Sequence, residues 1–142
     1  MDRNATPRSE RVLVAPCSGI GKSYGTVTRE AAYILAEELR PDQVELLPLS
    51  LVVLGDAALK QSIQGRPAIT IDGCNLECAR KNLSEAGAVV VENFRVLEAY
   101  RQHRQLKPQG IAELNEGGLA LARIMADAAA AAVDRVQEVD HA

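Results

Sequence analysis

The residues with the clearest chemical potential in this chain are its three cysteines, Cys17, Cys74 and Cys78. An odd number of cysteines in a chain without an export signal favours reduced thiols, metal ligands or redox groups over a disulfide framework. Cys17 follows one short apolar run, and the other two cysteines follow a second such run. Three thiolates can hold Zn²⁺ and leave a fourth position for water, a carboxylate or a ligand.

Asp72 ends the second apolar run and is the candidate supporting group for such a metal site. Its carboxylate could be the fourth ligand or could orient the thiolates. The commoner duty of an Asp before a glycine turn is to cap the following helix, so both roles stay open. Glu77 is expected to face solvent, and so are the two histidines, His103 and His141.

The same thiols support a second interpretation, a redox or sulfur-transfer enzyme. The C-x-x-x-C spacing of Cys74 and Cys78 is not the C-x-x-C redox motif, and a disulfide within one helical turn is geometrically awkward. A bridge between Cys17 and Cys74 would avoid that strain, and a persulfide on one cysteine could be resolved by another. The ligand would then be a small thiol or sulfur compound instead of a metal ion.

The segment PCSGIGKSYG raises a weaker third possibility, phosphate or nucleotide binding. A P-loop requires G-x-x-x-x-G-K-[ST], and Gly21, Lys22 and Ser23 match its second half while Gly19 allows a tight turn. The first required glycine is replaced by Pro16. Proline has no amide hydrogen and a fixed φ, so it damages the phosphate-binding nest where it is needed.

The elements that must position these residues alternate between strands and helices. Short apolar runs predict strands at 12–15, 44–47, 68–71 and 88–91. Helices are predicted between and after them, at 23–39, 55–64, 75–86, 94–106 and 114–136. This alternation indicates an α/β fold, a single-domain Rossmann-like three-layer sandwich with a four-strand, mainly parallel sheet in the order 2-1-3-4 and a C-terminal helix.

That topology predicts where the cysteines meet. The carboxyl ends of strands one and three would flank the switch point at which doubly wound sheets bind ligands. Cys17 would come from the first strand, with Cys74 and Cys78 one turn apart on the helix after the third. The metal hypothesis therefore depends on convergence of all three thiols.

Bulk composition limits the partners. The net charge of −3, the pI near 5.4 and an aromatic content of 3% disfavour nucleic-acid binding. No apolar stretch is long enough to span a membrane, and the polar start of the chain makes the cytoplasm the expected compartment. Residues 1–10 are predicted to be a flexible arm and residues 11–142 a single domain, whose Ala-rich C-terminal helix permits a homodimer.

PCSGIGKSYG, followed by TREAAYILAEEL and AITIDGCNLECARKNLSEAG, resembles the DGC domain family, named for the Asp-Gly-Cys found here at 72–74. The resemblance runs from about Val12 to Val91 and is most specific in ID-G-C-x-x-x-C-A-x-K. Members are described as zinc-binding on the strength of four cysteines. The resemblance therefore implies a zinc-binding protein.

Carried over to this chain, three family cysteines fall on Cys17, Cys74 and Cys78. The fourth, near the end of the second strand, has no match, because Leu47, Pro48 or Ser50 stands where a thiol is expected. A closed four-cysteine zinc site is thus in doubt. An open three-thiolate site, or thiol chemistry without metal, remains.

Overall fold

A computed structural model of the chain describes residues 6–17, 22–73 and 75–141. Its centre is a four-stranded sheet in the order β2-β1-β3-β4, and every pairing in it is parallel. The strands are β1 Val12–Pro16, β2 Val44–Leu46, β3 Pro67–Asp72 and β4 Val89–Arg95. The predicted α/β class and strand order are confirmed.

Six α-helices connect and cover the strands in the described part of the chain. They are α1 Ser23–Tyr33, α2 Leu49–Leu54, α3 Ala57–Ile63, α4 Cys78–Glu85, α5 Val96–Gln102 and α6 Glu116–His141. Helix α1 continues into a π-type segment, Ile34–Leu39, and single 3₁₀ turns occupy Arg8–Glu10 and Arg104–Leu106. Every described helix is too short or too polar to cross a bilayer.

The sheet separates two hydrophobic cores. Val12 and Val14 face α1 and α6, whereas Leu13 and Ala15 face the layer that contains α2, α3 and α4. Successive residues of a strand point to opposite faces, so a strand covered on both sides is apolar throughout. This explains the continuous VLVA run. The alanines of α6 that are buried against the sheet and α1 are Ala122, Ala126, Ala129, Ala130 and Ala132.

Several boundaries differ from the predicted ones. The helix predicted at 75–86 begins only at Cys78, because Glu77 has a left-handed backbone (φ 52°) that interrupts helical geometry. Strand β4 extends to Arg95, so residues 94 and 95, predicted as helical, are in the strand and α5 begins at Val96. Helix α2 has no counterpart among the predicted helices. Its run LSLVVL is too short for periodicity to identify a helix.

Part of the predicted N-terminal arm has a defined structure. Residues 1–5 lie outside the described residues, but Arg8–Glu10 form a 3₁₀ turn. The Nη2 of Arg66 donates to the carbonyls of Arg8 and Arg11 and lies 3.2 Å from the carboxylate of Glu45 on β2. These contacts tie the turn to the amino edge of the sheet, opposite the predicted site.

Candidate thiol site at the carboxyl edge of the sheet

Cys17 lies at the carboxyl end of β1, directly beside the end of β3. Pro16 is in register with Ile71, and the backbone amide of Cys17 donates to the carbonyl of Ile71 at 2.8 Å. The hydroxyl of Thr28, buried on α1, is 2.9 Å from the Cys17 carbonyl oxygen. The backbone of Cys17 is therefore held by both a neighbouring strand and a helix.

The thiol of Cys17 contacts the loop that leaves β3. The amide nitrogen of Gly73 lies 3.4 Å from the Sγ of Cys17 and donates a hydrogen bond to it. The side chain is half-buried and packs against the core that faces α4. Hydrogen bonds to a ligand atom from outside the coordination sphere orient it in metal sites. In the sequence, Gly73 directly precedes Cys74.

Asp72 is buried, at 1% exposure, and caps helix α4 from the end of β3. Its Oδ1 accepts a hydrogen bond from the amide of Ala79 at 2.7 Å, and its Oδ2 accepts one from the amide of Arg80 at 3.2 Å. These are orphan donors in the first turn of the helix. The capping alternative therefore accounts for both contacts with α4, and Asp72 positions the start of the helix that carries Cys78.

Asn93, which the sequence pattern does not identify as a site residue, completes this arrangement. Its Nδ2 donates to the hydroxyl of Thr70 at 2.7 Å and to Oδ2 of Asp72 at 2.9 Å. One amide thus uses both of its hydrogens to tie β4 to β3 and to the capping carboxylate. In the sequence, Asn93 is only a polar residue just after a predicted apolar strand. That position does not indicate which side chains it would contact.

Gly73 allows the loop to lie against helix α1. A Cβ atom at this position would be 3.3 Å from the carbonyl carbon of Tyr24 and 3.4 Å from the amide nitrogen of Gly25. Both of these atoms belong to backbone in the first turn of α1, so they cannot swing aside as a flexible side chain would. A side chain at the glycine of the Asp-Gly-Cys sequence would therefore fit tightly against α1.

Cys78 is the first residue of α4, and it is exposed. Glu77 before it turns its carboxylate to Arg80, at 2.9 Å from Nη2, instead of capping the helix. This hydrogen bond, with weaker attraction from Arg80, Arg95 and Lys81, lowers the pKa of Glu77 below its ordinary value. The positive charges of these three side chains therefore act on Glu77, in the loop between β3 and α4.

Three of the predicted metal-site residues, Cys17, Asp72 and Cys78, are described by the structure, and the fourth is not. Cys17 and Asp72 lie at the neighbouring carboxyl ends of β1 and β3, and Cys78 begins the helix that Asp72 caps. Cys74 lies outside the described residues. Within residues 6–17, 22–73 and 75–141, no group of three or more His, Cys, Asp or Glu side chains could hold a metal ion. The predicted metal site therefore requires Cys74.

The phosphate-binding alternative falls largely on undescribed chain. Gly19 and Gly21 lie outside the described residues. Lys22 is exposed at the start of α1 and makes no side-chain capping bond, and Ser23 is the first residue of that helix. Pro16 is the last residue of β1. Phosphate or nucleotide binding by this loop therefore stays a prediction.

Comparison with known families gives one match. A sequence model described as the DGC domain matches residues 13–117, which include all three cysteines. No curated protein and no solved structure matches the chain.

Proposed function

The chain belongs to the DGC domain family, and on this premise we propose that it binds a soft metal ion, zinc first, through the thiolates of Cys17, Cys74 and Cys78. The observation that carries the proposal is the 3.4 Å contact between the Sγ of Cys17 and the amide nitrogen of Gly73. That contact joins the thiol of β1 to the residue that immediately precedes Cys74 in the chain.

The donor set fits zinc. Thiolates are soft ligands that select Zn²⁺ over hard ions such as Mg²⁺, and three of them leave one coordination position open. Both oxygens of Asp72 accept hydrogen bonds, two of them from the first turn of α4, so in this proposal the residue supports the site by holding that helix. A zinc ion bound in this way would supply a Lewis acid with room for one exogenous ligand.

The charge around the loop also favours a thiolate site. Three thiolates with one Zn²⁺ carry a net charge of about −1. Arg80, Lys81 and Arg95 all act on the carboxylate of Glu77, which lies between Cys74 and Cys78 in the sequence. Arg80 and Arg95 are ion-paired with Glu77 and Glu98, so the three cations would offset the excess negative charge of the bound site in part.

The metal content of the protein tests this proposal. Protein purified under reducing conditions should contain about one zinc per chain, and Cys17→Ser, Cys74→Ser and Cys78→Ser should each lower that content strongly. Cd²⁺ added to metal-free protein should produce the ultraviolet charge-transfer band of metal-bound thiolates. His103→Ala is the matched control and should change neither result. A wild-type protein without zinc and without the Cd²⁺ band would refute the proposal.

The exposed thiol of Cys78 favours one second candidate, sulfur transfer. Its thiolate would attack the outer sulfur of a persulfide R–S–SH, forming Cys78–S–SH and releasing R–S⁻. Metal-free protein treated with a low-molecular-weight persulfide should then gain the mass of one sulfur atom. Cys78→Ser should abolish the gain, whereas Cys17→Ser should retain it. No gain in mass with the wild-type protein would eliminate this candidate.

A further inference from the structure

Strand β4 is the last strand of the described sheet and pairs on one side with β3. No strand pairs with its other side in the described part of the chain. Two of its valines are exposed, Val89 at 52% and Val91 at 43%. Exposed β-branched side chains along an open strand edge are an association hazard that proteins either block or use.

A groove runs between this edge and helix α6. It consists of two cavities of about 430 and 280 Å³, and Glu92 lines both. The larger cavity is mainly apolar and includes Val89 and Val91 on the strand and Ala132 and Val136 on the helix. The smaller one reaches α5 and includes Phe94, Ile124 and Met125. The apolar character therefore belongs to the larger cavity, and an exposed apolar recess beside an open strand edge is typical of an interaction surface.

The way β4 pairs with β3 limits what can occupy this groove. Val90 is in register with Ala68 and Glu92 with Ile69, so Val91 is an extra residue that forms a bulge. A bulge twists the edge and disrupts a regular backbone ladder. The groove is therefore suited to packing of side chains from a folded surface and not to simple addition of another strand.

The charges at the groove are self-complementary. Glu92, in the middle of β4, and Arg135, on α6, form a loose and largely exposed ion pair at 3.5 Å. A surface that joins two copies about a two-fold axis must match itself, so each acid must find a base on the same patch. Glu92 and Arg135 meet that requirement, because a two-fold axis that passes between them places each of these residues beside the other residue of the second copy.

We propose that this groove is the interface between two copies of the chain. The two copies pack around a two-fold axis that passes between Glu92 and Arg135, and each covers the exposed Val89 and Val91 of the other. Glu92 of each copy then faces Arg135 of the other. This interface is separate from the thiol site, so its existence does not depend on the proposed metal binding.

The self-association of the full chain tests this proposal. Analytical ultracentrifugation across a concentration series should show a monomer–dimer equilibrium for the wild type. Val91→Lys should raise the dimer dissociation constant by at least about tenfold, because it places a charge in the apolar contact. Val53→Lys, at an exposed valine on α2, is the matched control and should leave the constant unchanged. A wild type that stays monomeric, or equal effects of the two lysines, would overturn the interface.

Charge reversal provides an independent measurement. Glu92→Arg and Arg135→Glu should each weaken self-association, because each makes the contact around the axis carry like charges. An equimolar mixture of the two variants should recover it. In a mixed dimer the arginine introduced at position 92 of one chain faces the glutamate introduced at position 135 of the other, and the two unchanged side chains, Arg135 and Glu92, also face each other. Failure of the mixture to associate more strongly than either variant alone would contradict the two-fold arrangement.

Discussion

The carboxylate of Asp72 accepts a hydrogen bond from the amide of Ala79 at 2.7 Å, so the last residue of β3 caps a helix that begins several residues later. The residue in the usual capping position, Glu77, bonds to Arg80 instead. Asp72 therefore closes the loop that contains Cys74 by joining its start to the first turn of α4. The three residues of the motif therefore have separate roles. Asp72 closes the loop, Gly73 lets the loop lie close to α1, and Cys74 binds the metal ion in our proposal.

Removal of the buried cap should destabilise the protein. We expect Asp72→Ala to lower the free energy of unfolding by about 2–3 kcal/mol, because three donors lose a charged acceptor in a buried place. Urea denaturation measures the change. Asp56→Ala is the control, since Asp56 caps α3 through one exposed bond of 3.3 Å and should cost about 0.5 kcal/mol. Equal losses for the two variants would contradict a special role for Asp72.

The close approach of Gly73 to α1 should make even a methyl group disruptive. Gly73→Ala would bring a Cβ to 3.3 Å from the Tyr24 carbonyl carbon. We expect the loop to shift by a few tenths of an ångström away from α1, at a cost of about 1–2 kcal/mol, and so to weaken the contact between the amide of residue 73 and the Cys17 sulfur. The thiol of Cys17 should therefore react faster with an alkylating reagent, as followed by peptide mass spectrometry. Cys78, already exposed, should react at its wild-type rate, and an unchanged rate at Cys17 would contradict the contact.

The left-handed backbone of Glu77 should be relieved by glycine. Both Glu77→Ala and Glu77→Gly remove the ion pair with Arg80, but only glycine adopts φ 52° without steric cost. We expect the urea midpoint of Glu77→Gly to exceed that of Glu77→Ala. In an ordinary helical position the order would be the reverse, because glycine disfavours helix. Glu85→Ala and Glu85→Gly, within α4, supply that control comparison.

The ion pair between Arg40 and Asp134 should stabilise the folded protein at neutral pH and lose this effect in acid. Two contacts of 2.7–2.8 Å join the guanidinium to the carboxylate and lower the pKa of Asp134 below its ordinary 3.8. A carboxyl group whose pKa is lower in the folded protein than in the unfolded chain stabilises the fold at pH values above its unfolded-state pKa. This stabilisation is lost as the pH falls through the folded-state pKa.

Asp134→Asn should therefore be less stable than the wild type by less than about 1 kcal/mol at neutral pH, because Asp134 is about half exposed. The difference should shrink as the pH falls below 3.8 and vanish once the pH is below the lowered pKa that Asp134 has in the folded protein. Urea unfolding at several pH values measures it, with Asp127→Asn as the control for a weakly paired, exposed acid on the same helix. A difference that persists unchanged in acid would show that the ion pair is not its cause.

The strand order and layers could be predicted because their signals are local. A strand buried on both faces is apolar throughout, as VLVA is, and parallel neighbours need a crossover between them. The approach of Cys17 to the Asp-Gly-Cys loop followed from that order alone. The helix predicted from residue 75 was wrong because nothing in local periodicity identifies the left-handed residue at Glu77.

The sequence by itself determined the α/β alternation, the order of the strands and the common edge at which Cys17 and Asp72 lie. Only the tertiary structure decided which groups Asp72 contacts. The bulge at Val91 shifts β4 by one residue, so that Asn93 lies beside Thr70. Because a shift of one residue turns a strand's side chains to the opposite face, this bulge turns Asn93 toward Asp72. Such a shift depends on how two strands pair across the sheet, and neither strand's own pattern of residues specifies it.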